Sequence, residues 1–394
     1  RVWRMNKIKN FLHGISEKMK NKGKKLSDYS WKRYLVSFFI LVLLIGVLVV
    51  ILRVEEDYTV LSSYEKSDTS STQYLAFGKR MFKYSADGVS CMDGNGQTLW
   101  NCTFSMQSPI ADVCEGSVVV ADQQGTDVYI FDEKGQKGQF ETLLPIEKVK
   151  VARQGVVAAV LTDEDVTWIN LYDTQGGEIA KMRTTVKESG YPMDIALSPD
   201  GMKIMVSFLW PDQSGIQTRV GFYNFDSIGQ TEENNQVSLL TYDGVVAPSV
   251  YFVDERRSVV LRSNGFSVCQ GAEIPTEKVS VDFDEEILTA FHDDGKIGFI
   301  FKSDKADYKY KILVYNLNGR CTMRKYLNMD YRQAKMMEGN ILLINDKGFQ
   351  VYSSRGRKRV DVTYKKAVED VASVPGLGKY MVVSNGHMEL IRVK

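Results

Sequence analysis

The feature that most limits the fold is a strand end repeated along the chain: an apolar or aromatic run, a polar residue, two further positions and a glycine. It occurs as Asp93-Gly94-Asn95-Gly96, Asp132-Glu133-Lys134-Gly135, Asp173-Thr174-Gln175-Gly176, Asp226-Ser227-Ile228-Gly229, Asn316-Leu317-Asn318-Gly319 and Ser353-Ser354-Arg355-Gly356. Val268-Cys269-Gln270-Gly271 is a copy without the polar opener. The opening side chain can accept a hydrogen bond across the turn and the glycine can take the left-handed conformation, so each copy predicts a tight hairpin. Successive copies start 37 to 53 residues apart. That is the period of a four-stranded propeller blade and too long for one coil of a β-helix.

Each turn then closes the third strand of a blade, with aromatic strand formers before it, as in Tyr129-Ile130-Phe131 and Val351-Tyr352. Third strands are predicted near residues 88, 128, 168, 220, 266, 312 and 349, with an eighth from Met388 to Val393. One unit is legible throughout: Asp194–Leu197 as first strand, the turn Ser198-Pro199-Asp200-Gly201, Lys203–Phe208 as second strand and Val220–Phe225 as third. The last unit ends without a fourth strand, so a segment between Tyr58 and Phe77 is expected to supply it and remove the open sheet edge. The expected fold class is an all-β propeller of eight blades, with seven as the alternative, preceded by one transmembrane helix.

The helix is read from Tyr34 to Leu52, YLVSFFILVLLIGVLVVIL, which holds no charged residue. At about 1.5 Å per residue it nearly crosses a hydrocarbon core of about 30 Å. Residues 1–33 carry 11 Lys and Arg against Glu17 and Asp28, whereas Glu55, Glu56 and Asp57 follow the span. This asymmetry predicts a cytoplasmic N-terminus and an exported C-terminal domain. The tail repeats Ile8, Phe11, Leu12, Ile15 and Met19 at helical spacing among lysines, so membrane lipid is an expected partner of residues 1–52. Met5 is the expected natural start. The domain plan is a basic cytoplasmic tail (1–33), a transmembrane helix (34–52), a Ser/Thr-rich linker (53–73) and the propeller (74–394).

The net charge of +1 therefore combines a strongly basic tail with an acidic remainder, which argues against nucleic acid as a partner of the large domain. The five cysteines, Cys91, Cys102, Cys114, Cys269 and Cys321, include no C-x-x-C pair; they read as buried free thiols. His13, His292 and His387 show no metal spacing, and His292 reads as a turn histidine. Asp163-Glu164-Asp165, Asp282-Phe283-Asp284-Glu285-Glu286 and Asp293-Asp294 read as turn formers, and neither the first of these nor Asp122–Asp127 follows a calcium-loop pattern. No phosphate loop, nucleophile elbow or thiol–histidine context occurs. No cofactor, metal site or catalytic residue is expected.

The turn Ser198-Pro199-Asp200-Gly201 resembles those of WD40 and TolB-like propellers, and Gly94-Asn95-Gly96-Gln97-Thr98-Leu99-Trp100 resembles a repeat of quinoprotein propellers. From basic tail to last blade the chain resembles an uncharacterised family of membrane-anchored propeller proteins of Gram-positive bacteria. The resemblance implies a fold and no reaction. Quinone-dependent activity would need a Trp in most blades, and only Trp100 stands at the repeat position, where it reads as a packing residue.

The expected function is non-enzymatic binding or scaffolding of a protein or cell-envelope partner on one propeller face. A glycan hydrolase with a funnel active site and a transmembrane sensor are the alternatives. In a propeller the loops joining second to third strands open on one face, and the longest are read as Leu209–Thr218 and Ser303–Lys309, with Thr162–Asp165 a shorter third. Candidate partner-binding residues are therefore Trp210, Asp212, Gln213, Asp304, Tyr308, Asp163 and Asp165.

Overall fold

In a four-stranded blade the two middle strands are covered on both faces by neighbouring blades, so they need continuous apolar runs, while the outermost strand needs only alternation. The chain is built in that way. Ser117–Asp122, SVVVAD, is buried at every position, whereas Thr98–Thr103 alternates between exposed and half-buried. The computed structural model describes residues 34–43, 53–65, 72–164, 166–212, 215–293, 295–374, 376–384 and 387–394. They fall into two units, Arg1–Val54 and Glu55–Lys394.

The second unit is an eight-bladed propeller of eight four-stranded antiparallel sheets. Blades 1 to 7 span Gln73–Thr103, Pro109–Glu141, Ile146–Thr185, Tyr191–Asp243, Ser249–Asp282, Ile287–Leu327 and Gln333–Thr363. Blade 8 takes three strands from Val368–Ser373, Lys379–Ser384 and His387–Val393, and its fourth from Tyr58–Glu65. The expected third strands all occupy the third position of their sheets. The closing strand lies inside the segment foreseen for it, so residues 58–65 of the expected linker are part of the propeller. Tyr58 pairs with Val393 and Tyr64 with Met388.

Every interface between adjacent blades has its own apolar cluster. Val118, Val120 and Phe131 of blade 2 pack on Phe82 of blade 1, and Met381 and Leu390 of blade 8 pack on Met81 and Met92 of blade 1. This last cluster shows that the ring closes.

The repeated turn works as its chemistry requires. Asp173 Oδ1 accepts from the N–H groups of Gln175 and Gly177, both at 2.8 Å, and Gly176 takes φ 82°. The copy at Asp226–Gly229 is different: it opens an insertion with two short 3-10 turns, Gly229–Thr231 and Glu233–Asn235, so the predicted tight turn does not form there. Trp100 is a packing residue, stacked on Phe131 with ring centroids 5.6 Å apart.

In the first unit, residues 34–43 are helical. Among the described residues no helix is long and apolar enough to cross a membrane. Residues 44–52 of the expected span and the whole tail 1–33 lie outside the described residues.

Candidate binding surface

Because strands alternate in direction, second-to-third loops and blade-to-blade connections share one face of the propeller, here the loop face. First-to-second and third-to-fourth turns share the opposite one, the turn face. The chain enters the propeller on the turn face, where Glu55 exchanges backbone hydrogen bonds with Arg359 and Asp361 at the start of the last strand of blade 7.

The expected site residues are distributed over three blades of the loop face. Asp163 ends the second strand of blade 3 and is exposed; Asp165 lies outside the described residues. The segment Leu209–Thr218 is not a loop. The second strand of blade 4 runs from Lys203 to Asp212 and the third from Gly215 to Asn224, paired without a break down to Asp212 opposite Gly215. Alternation of Phe208, Trp210 and Thr218 with their neighbours suits a strand, and the polar tip hid that pattern. Trp210 is half-buried with the Arg219 guanidinium 3.9 Å from its ring centre, so it folds onto its own blade. Asp212 ends the strand, and Gln213 lies outside the described residues.

Ser303–Lys309 is a true loop, between the strands Lys296–Lys302 and Tyr310–Asn316 of blade 6. It brings Asp304 and Tyr308 together. Tyr308 is 42% exposed and leans on Tyr326, centroids 5.6 Å apart, while Lys305 sits 4.1 Å over the same Tyr326 ring. Two grooves flank this loop. One, of about 610 Å³, is bordered by Glu285, Leu288, Lys302 and Tyr308. The other, of about 600 Å³, lies toward blade 7 and is bordered by Tyr326, Asn328, Asp330 and Lys347. An ion pair between Lys309 and Asp330 at 2.6 Å stands between them. Blade 5 separates this site from Trp210, so the structure assembles one part of the expected set and leaves the others apart.

Sequence reasoning missed the exposed apolar residues of the loop face. Leu143, Val186, Tyr191, Ile216 and Leu288 join Tyr308 there, with Leu143 93% and Tyr191 57% exposed. The turn face shows Met202, Ile274 and Leu377, with Leu99 and Ile179 near the starts of two outer strands. Each loop-face residue stands singly in a polar connection or at a strand end, a position with no periodic signal.

Charged side chains do converge near the propeller axis, where they tie blade to blade. Asp112 of blade 2 accepts from the Val151 N–H at 2.9 Å and pairs with Lys150 at 3.2 Å. Lys148 reaches the Met193 carbonyl and Asp194 of blade 4, and Asp194 accepts from the Val250 N–H of blade 5 at 3.0 Å. Lys335 and Asp370 pair blades 7 and 8 at 2.6 Å. Burial opposes the charge of Lys150, but Asp112 and Asp194 outweigh it and hold its pKa above the usual lysine value.

His292 lies in the first strand of blade 6, not in a turn, and stacks on Tyr251 with centroids 3.6 Å apart and rings 6° from parallel. Burial, with a contribution from Lys150, pushes its pKa down to about 4 against the opposing pull of Asp293, so it is neutral near pH 7. Asp122 Oδ1 caps the N–H groups of Gln107 and Ser108 at 3.0 and 2.8 Å, a structural use of the acid. Among the described residues no group of three or more His, Cys, Asp or Glu is placed to hold a metal ion. All five cysteines are free; Cys91 and Cys269 are buried as expected, Cys102 and Cys114 are half-buried, and Cys321 is exposed.

The curated proteins contain no sequence match to this chain. Among solved structures it is similar to Sqt1 of Saccharomyces cerevisiae at 13% identity and TM-score 0.56, covering 87% of this chain and 100% of that one. It is likewise similar to BamB of Moraxella catarrhalis at 12% identity and TM-score 0.52, covering 85% and 100%. At these identities the likeness concerns the fold. Residues 51–393 match the family described as "Family of unknown function (DUF5711)", and this eight-bladed propeller belongs to that family.

Proposed function

We propose that the protein is a non-enzymatic binding propeller, anchored to a bacterial membrane by residues 34–52, that presents its loop face to a protein partner of the cell envelope. The observation that carries the reading is the loop of residues 303–309, which holds Tyr308 42% exposed on the loop face between grooves of about 610 and 600 Å³. Exposed apolar groups rimmed by polar ones are typical of protein-binding surfaces. The carboxylates near the axis favour binding over hydrolysis, because Asp112, Asp194 and Asp370 are each engaged by a lysine and so serve to hold blades together.

Replacing Tyr308 by Ala together with Ile216 by Ser should weaken capture of the partner by the full chain at least tenfold, since an interface anchor is worth about 2 kcal/mol or more. The melting temperature should stay near the parent value, because both side chains are exposed. Leu377→Ser, on the turn face, is the control and should leave capture unchanged. Equal capture by the double variant and the parent would move the site off the loop face.

Membrane anchoring with a cytoplasmic tail is supported by the basic excess before the apolar run and by the exposed apolar side chains of the described helical turns, among them Phe38, Phe39 and Leu43. Protease added outside intact cells should remove the propeller and spare the segment before Tyr34. A fully protected propeller would reverse the orientation.

A further inference from the structure

The third strand of blade 7 ends in a basic turn, Ser353-Ser354-Arg355-Gly356-Arg357, and the strand that follows, Lys358–Thr363, opens with Lys358 and Arg359. Arg355 and Arg359 are exposed and Arg357 is half-buried. The turn sits beside the outermost strand of blade 6, where a Cβ on Gly356 would stand 3.2 Å from Met323. Arg320, also exposed, leads into that strand. Asp361 engages Lys358 at 2.6 Å, but among the described residues none of the four arginines has a carboxylate within ion-pair distance. Glu55 and Glu338 share the surroundings of Tyr380 with Arg359. Glu56 and Asp57 follow on the blade 8 side, where the Lys394 N–H donates to the Asp57 carbonyl at 2.9 Å. The uncompensated positive charge therefore belongs to Arg320, Arg355 and Arg357.

The neighbouring turn of blade 8 carries Leu377, 97% exposed and the most exposed large apolar side chain among the described residues. Gly376 and Gly378 on either side of it take φ 123° and 64°, angles that turn the chain sharply enough to leave the leucine at the tip. A Cβ on Gly378 would stand 3.7 Å from a Glu55 carboxylate oxygen, and the Glu55 N–H donates to the Arg359 carbonyl at 2.8 Å. The leucine turn and the basic turn thus flank Glu55. Only Arg53 and Val54 separate Glu55 from Leu52, the expected end of the membrane span. At about 3.5 Å per residue the chain can place no more than about 10 Å between those two residues.

We propose that the turn face at blades 6 to 8 docks on the surface of an anionic lipid bilayer, with Arg320, Arg355 and Arg357 among the headgroups and Leu377 dipping beneath them. The inference rests on the anchoring by residues 34–52 and is independent of any partner of the loop face. Guanidinium groups hold phosphate through two parallel hydrogen bonds, and each basic residue near an anionic surface strengthens attachment about fivefold. A protein partner would call for a contiguous apolar patch. Three cations beside one projecting leucine match instead the layers of a bilayer surface, anionic outside and apolar beneath.

The full chain should be reconstituted into nanodiscs of phosphatidylcholine alone and of equal parts phosphatidylcholine and phosphatidylglycerol, and its hydrogen exchange followed by mass spectrometry. Residues 353–359 and 376–379 should exchange about threefold or more slower in the anionic discs, and high salt should remove the difference. Residues 303–309, on the loop face, should exchange alike in both. Arg355→Gln combined with Arg357→Gln should weaken attachment about tenfold or more and return both segments to their rate in neutral discs. The melting temperature should stay at the parental value, because neither side chain has a protein partner to lose. Leu377→Ser should reduce the protection of residues 376–379. Equal exchange in the two kinds of disc, or undiminished protection in the double arginine variant, would overturn the inference and leave the anchor standing. A chain that neither enters the discs nor floats with vesicles would remove the anchor itself, and the inference with it.

Discussion

Deleting residues 54–65 is expected to lower the melting transition of the whole propeller by at least about 5 °C, and not merely to fray one blade. The segment supplies the outermost strand of blade 8, paired with His387–Val393 along its length. Its removal uncovers more than a ladder. Tyr58 stacks on Tyr364 with centroids 4.9 Å apart, and Ser63 donates to Glu389 at 3.4 Å. Glu389 is nearly buried and also binds Lys366 at 2.9 Å and the Tyr364 hydroxyl. On the far side, Tyr64 donates to the Asn95 carbonyl of blade 1 at 2.8 Å, with its ring tip against Gly96.

Losing this seam should cost roughly 4 kcal/mol or more, and for a domain of this size each kcal/mol moves the melting temperature by about 2–4 °C or somewhat less. The exposed edge of His387–Val393 should also promote aggregation. Calorimetry on the deletion, with hydrogen exchange in blades 1 and 8, measures both effects. A transition at the parental temperature would mean that the ring is held shut without this strand.

Phe299→Ala should be the most damaging single substitution among those considered, at about 3–5 kcal/mol. Phe299 is fully buried in the cluster that joins blades 5 and 6. It lies 5.6 Å from Phe266 and 5.0 Å from Phe283 between ring centroids. Truncation removes ring contacts from both blades at once and leaves a cavity that two separately anchored sheets cannot close, so the transfer and cavity costs add. Phe299→Leu, which retains most of the volume, should cost about 1.5 kcal/mol or less. Denaturant unfolding of the two variants makes the comparison, and a loss below 1 kcal/mol for Phe299→Ala would show that the interface repacks freely.

The candidate site was legible in part. Ser303–Lys309 could be found from its polar composition between two aromatic strands, and Asp304 and Tyr308 are in place on it. Leu209–Thr218 was misread because Pro211, Asp212 and Gln213 interrupt the strand pattern at the hairpin tip, although pairing with Gly215–Thr218 holds the segment extended. His292 stands next to a turn in sequence, but its ring is placed by Tyr251 of the preceding blade.

The sequence by itself placed each third strand, favoured eight blades over seven and bracketed the segment that closes the ring. All three follow from turn chemistry and strand period, which act between residues a few positions apart. Only the tertiary structure decided which polar residues meet. Asp112 and Lys150 are 38 residues apart in the chain, and Tyr223 faces Met182 across two blades. Such meetings depend on the rotation from one blade to the next and on which face of a strand a side chain leaves. A change of register by one residue reverses that face, so local patterns left the interior ion pairs unread.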